Sequence, residues 1–88
     1  ALSVINTSGR STVDSVTACA DTTNTNLYNA PVSGTPGVPG LHDWIYLDSL
    51  GTTLLSPPSN TFYKYVDGGV NKWFEVSTDS VIVNMGNC

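Results

Sequence analysis

The chain has 88 residues, enough for one domain with one core. Its 3 basic residues, Arg10, Lys64 and Lys72, face 7 acidic ones, giving a net charge of −4. No Lys/Arg cluster can neutralise phosphates, and no apolar run is long enough to cross a bilayer, so nucleic-acid binding and membrane insertion are set aside.

Composition also argues against helices. Four Ala, one Glu and no Gln stand against ten Val, eleven Thr, ten Ser, eight Asn, eight Gly and five Pro. Val and Thr lose side-chain freedom in a helix and sit well on a pleated surface, while Gly, Pro and Asn make turns. An all-β fold with extensive loops follows. The chain starts at Ala1 and its one Met is Met85, so it is expected to be processed or excised from something longer.

In chain order, Leu2 and Val4, a turn at Asn6-Thr7-Ser8-Gly9, and then Val13, Val16 and Cys19 read as one or two short strands. From Ala20 to Leu41 the chain is rich in Thr, Asn, Pro and Gly. Pro31, Pro36 and Pro39 with Gly34, Gly37 and Gly40 predict a long surface loop over residues 30–40. Trp44 to Asp48 is a strand, followed by a turn at 49–52, and Thr53-Leu54-Leu55 is a shorter strand stopped by Pro57-Pro58. The strongest local signal is a hairpin: Phe62 to Val66, Asp67-Gly68-Gly69, then Val70 to Val76, two aromatic strands around a turn that needs positive φ. Ser80 to Met85 closes the chain as a strand with Val81, Val83 and Met85 on one face.

Cys19 and Cys88 are separated by nearly the whole domain. An intrachain bond between them, an intermolecular bond, and two free thiols are the three states open to this pair. An intrachain bond would stabilise a domain this small by about 4 kcal/mol on the loop-entropy account and would imply an oxidising compartment. Zinc is disfavoured, because no local Cys pair exists and His42 is the one other soft ligand. The approaches to the cysteines, Ser8 to Cys19 and Val76 to Cys88, are alike: a polar turn, a β-branched strand and a polar spacer. Two Ser/Thr/Val-rich strands also look alike by chance; taken as more than that, the likeness divides the chain into residues 1–18, a leading strand that serves assembly or ends a preceding unit, and a disulfide-bounded β domain over 19–88.

Chemistry is sparse. His42-Asp43 has no nucleophile elbow and no second His beside it, so no enzyme, catalytic residue or cofactor is expected. Calcium is conceivable at Asp21, Asp43, Asp48, Asp67 or Asp79, but no EF-hand-like or repeated Asp-x-Asp spacing supports it, and turns explain Asp67 and Asp79. Tyr28, Trp44, Tyr46, Tyr63, Tyr65 and Trp73 are needed mostly for the core, although flat rings also stack on sugars. Tyr63 and Tyr65 share a strand face, opposite Lys64. Trp44, Tyr46 and His42 with the 30–40 loop are the candidate ligand-binding set, and Asn6-Thr7-Ser8 is an acceptor sequon.

Cys19-Ala20-Asp21-Thr22-Thr23, Leu27-Tyr28, Ile45-Tyr46-Leu47-Asp48 with Gly51-Thr52, Phe62-Tyr63-Lys64-Tyr65, Trp73-Phe74-Glu75-Val76 and the terminal Cys resemble, in order and spacing, a β-rich module. That module is found in the C-terminal parts of bacteriophage virion proteins and of Bacteroidetes cell-surface proteins. The resemblance spans about residues 12–88 and implies an exposed, disulfide-capped domain on an appendage, with no catalytic residues. The expectation is therefore a small antiparallel β-sandwich, immunoglobulin-like or related, with a long Pro/Gly-rich loop. It would be a non-catalytic subunit of an extracellular filament, surface appendage or phage particle, associating with itself or with other appendage or virion proteins by strand addition. The alternative is an adhesion module that binds a glycan or surface receptor.

Overall fold

The computed structural model describes residues 1–88. In chain order it contains β1 (Ser3–Ser11), α1 (Ser15–Ala20), β2 (Thr25–Ala30), β3 (Trp44–Tyr46), β4 (Thr61–Asp67), β5 (Val70–Val76) and β6 (Ile82–Asn87). The six strands form a single antiparallel sheet in the order β3-β2-β1-β4-β5-β6. Two three-stranded meanders are thus joined through their first strands.

The all-β, antiparallel expectation holds. In place of the two facing sheets of a sandwich, one sheet curls until its ends meet. Trp44 bridges Val81, and the join carries three backbone hydrogen bonds: His42 N–H to Ile82 O at 2.8 Å, Ile82 N–H to Asp43 O at 3.0 Å and Ile45 N–H to Ser80 O at 2.8 Å. Closure removes part of both exposed edges and creates an interior that every strand can fill. That interior holds Ile5, Leu27, Ile45, Tyr63, Tyr65, Phe74, Val76 and Ile82, at least one from each strand. Tyr63 and Tyr65 pack on Phe74 with centroids 5.6 and 5.5 Å away.

The β4–β5 hairpin forms as its sequence requires. Asp67 pairs with Val70, and Gly68 and Gly69 take φ of 59° and 82° in the two-residue turn between them. The tight turn is therefore Gly68-Gly69, one position later than an Asp-Gly reading places it.

Two irregularities alter which side chains face inward. Between Thr7 and Gly9 the β1–β4 register shifts, so Ser8 is an extra residue: Thr7 lies opposite buried Tyr65, but Gly9 lies opposite outward-facing Lys64. Between Ile82 and Asn84 the β5–β6 register shifts in the same way, around Val83. Ile82 and Met85 consequently face the core, opposite Val76 and Phe74, while Val83 is exposed. The expectation that Val81, Val83 and Met85 share a face is corrected by this one residue.

The segment before Cys19 is also corrected. Residues 15–20 are a helix, not a strand: Asp14 takes an extended N-cap conformation and its Oδ1 accepts from Thr17 N–H at 2.7 Å. The helix lies on the outer surface of the sheet, where Gly9 has been turned outward. A Cβ at Gly9 would overlap Ala18 O and come within 2.7 Å of Asp21 O, so glycine lets the helix backbone rest directly on β1. Beside it Phe62 and Trp73 pack with tilted rings, centroids 5.8 Å apart, and Trp73 covers Gly86, where a Cβ would meet the indole at 2.8 Å. The likeness of the two pre-cysteine segments is one of composition, since one ends in a helix and the other in a strand.

Residues 1–18 are interleaved with the rest of the domain. β1 lies at the middle of the sheet with β2 on one side and β4 on the other, and the 18/19 boundary falls inside α1.

Candidate functional site

Cys19, in the last turn of α1, is bonded to Cys88, just beyond β6, with Cα atoms 5.8 Å apart. The bond ties the outer helix and the end of the chain together beside Trp73. Both cysteines are used.

The sequence-predicted ligand set lies at the start of β3. Asp43 and Ile45 are fully buried, and the alternation places Trp44 and Tyr46 on the outer face. Trp44 is 41% exposed, whereas Tyr46 is half-buried. Register adds Tyr28 opposite Tyr46 and Val4 opposite Tyr28, and on the other side Tyr46 bridges Leu54. One row across the sheet therefore reads Val4, Tyr28, Tyr46, Leu54, with Trp44 in the next row opposite Ala30, where the Pro/Gly-rich loop begins. His42 is exposed with φ of 71°, and its backbone N–H serves the β3–β6 join.

The loop itself is held by two buried polar residues that sequence reading missed as a pair. Asp43 Oδ1 accepts from the N–H groups of Val32 at 2.6 Å, Ser33 at 3.0 Å and Gly34 at 3.1 Å, and Oδ2 accepts from Gly40 N–H at 2.9 Å. Asn29 Nδ2 donates to Asp43 Oδ2 at 3.1 Å and to Thr35 O at 3.0 Å, while its Oδ1 accepts from Gly37 N–H at 3.0 Å. Thr35 and Val38 close a small bridge inside the loop. Burial alone would push the Asp43 carboxyl up; the N–H groups of Val32, Gly34 and Gly40 and the Asn29 amide outweigh it and hold the pKa below the ordinary carboxylate range. The segment is thus an ordered turn built around a carboxylate, with Gly34 and Gly40 so close that neither has room for a Cβ.

Three other acids also serve the backbone. Asp14 caps α1, Asp21 accepts from Arg10 and Thr23 N–H, and Asp48 accepts from Thr52 and Thr53 N–H. These bonds, led by those from Thr17, Arg10 and Thr52 respectively, lower each carboxyl's pKa. No three of the His, Cys, Asp and Glu side chains gather where a metal ion could be held. No helix is long and apolar enough to cross a membrane. Comparison of the chain with protein-family models, with curated proteins and with solved structures returns no match.

Proposed function

We propose that this chain is a non-catalytic structural domain of an extracellular filament, surface appendage or phage particle, acting by assembly and display. The observation that carries the reading is the Cys19–Cys88 bond, which closes the domain at its own C-terminal strand and suits a protein that must persist in an oxidising setting. The carboxylate-pinned loop supports the same view, because it fixes a Pro/Gly-rich segment on the outside of the domain. The resemblance to virion and surface modules is part of this proposal.

Strand addition is the proposed means of association. β1 already has a strand on each side, so its use between copies takes the form of an exchange: β1 of one copy fills the slot between β2 and β4 of the next. Sedimentation of the oxidised chain over a concentration series tests this. Oligomers that incorporate an added peptide of residues 1–11 support exchange; a monomer at every concentration overturns it.

A second reading, a glycan- or receptor-binding adhesion module, is favoured by the exposed Trp44 beside Tyr46 and Tyr28. A glycan array probed with the wild type and Trp44→Ala tests it. Binding lost in the variant supports the reading, and silence from both proteins removes it.

A further inference from the structure

Where β1 ends and β4 begins, a cleft of about 480 Å³ opens between these strands and the Leu55–Pro58 connection. Its size is within the range of small-ligand sites, about 300 to 1,000 Å³. Arg10 and Tyr63 are register partners on its wall. The chain's one ion pair joins Lys72 and Asp67, so the Arg10 guanidinium has no carboxylate partner in an otherwise acidic protein. The Tyr63 ring belongs to the core and is 4% exposed, yet its hydroxyl has no partner in the chain. No buried side-chain oxygen or nitrogen lacks a partner, so that hydroxyl opens to the cleft. Burial raises the phenol pKa, with the Arg10 charge opposing it, and the group stays a hydrogen-bond donor at neutral pH.

The remaining walls mix hydroxyl groups with apolar surface. Ser11 Oγ accepts from Val13 N–H, which leaves its own proton free to donate outward, and Thr12 adds a second hydroxyl. Pro57 and Pro58 form a stiff side, and Leu55 and Tyr63 are the cleft's hydrophobic residues. A guanidinium fork matches one carboxylate in bidentate fashion. Neighbouring hydroxyls suit a ligand that itself carries hydroxyl groups.

We propose that this cleft binds an acidic monosaccharide, with its carboxylate on Arg10 and its ring hydroxyls on Tyr63, Ser11 and Thr12. The site is separate from the Trp44 face and stands or falls without it.

The test is an NMR titration of the full oxidised chain with D-glucuronate, using D-glucose and acetate as controls. Glucuronate should shift the Arg10 Nε–H and the Thr12 and Thr61 amides at millimolar concentration. Arg10→Gln, an exposed site that leaves the folded spectrum intact, should weaken binding about tenfold, and Arg10→Lys should restore little of it. Tyr63→Phe, which keeps the ring, should weaken binding about threefold. Absence of shifts up to ~20 mM glucuronate, equal shifts with glucose or with acetate, or unchanged binding by Arg10→Gln would each overturn the proposal.

Discussion

Asn29 and Asp43, both fully buried, are joined through Asn29 Nδ2 and Asp43 Oδ2 at 3.1 Å, and between them they hold the turn of residues 31–40. Every atom of the pair that could be left wanting is satisfied, four times by backbone N–H groups on Asp43 and once on Asn29. Replacing Asp43 by Ala leaves those donors without their acceptor. The expected loss of stability is about 3 kcal/mol, read by urea denaturation, and amide exchange at Gly34 and Gly40 should accelerate. Asp43→Asn keeps the shape but turns half of the acceptor into a donor facing N–H groups, so it should be destabilising as well.

The same carboxylate sets an acid limit. Its pKa is depressed in the folded state, so its contribution to stability is complete above the unfolded Asp value of about 3.9 and is lost as pH falls through the folded value. Asp14, Asp21 and Asp48 shift in the same direction and act in the same window. Thermal midpoints should be flat from neutral pH to about 5 and fall below 4, and the fall should be shallower in Asp43→Asn. An identical acid profile for the variant would remove Asp43 from this account.

Reduction of Cys19–Cys88 tests the other fastening. The bond spans a sequence separation of 69, and its removal from the unfolded-state constraint costs about 4 kcal/mol. Cys19→Ser with Cys88→Ser should lower the unfolding free energy by that amount and release α1 first, because this helix has six residues and little propensity of its own. Intact mass with and without reductant should show a monomer that gains two hydrogens.

How far these features can be read from the sequence depends on where each residue's partner lies. The β4–β5 hairpin is legible because two runs rich in aromatic and β-branched residues, Phe62 to Val66 and Val70 to Val76, flank Gly68-Gly69, which supplies the turn locally. Ser8 and Val83 are not, since one extra residue in a strand changes every later facing yet leaves no mark on composition. Val13 and Val16 read as strand because they are β-branched, but both are more than 70% exposed and decide nothing; the Asp14 cap and buried Ala18 do. The Trp44 face was readable from alternation around Ile45. The Asn29–Asp43 pair was not, because its partners are mainly main-chain groups, which every sequence possesses.

Gly9→Ala isolates the helix docking from the disulfide. The added methyl would overlap Ala18 O and approach Asp21 O at 2.7 Å, both backbone atoms that cannot rotate away. α1 must therefore lift from β1, exposing the Phe62–Trp73 pair beside it while Cys19 still tethers it to Cys88. The expected cost is about 2 kcal/mol, a typical overpacking penalty. Trp73 fluorescence should shift to the red before global unfolding, whereas Trp44 stays as it was. Trp44→Ala supplies the reference for that measurement: with Trp44 41% exposed it should cost under about 1 kcal/mol, against about 4 kcal/mol for Phe74→Ala in the fully buried core. If Gly9→Ala leaves the Trp73 emission unchanged, the helix does not rest on β1 in the way its glycine implies.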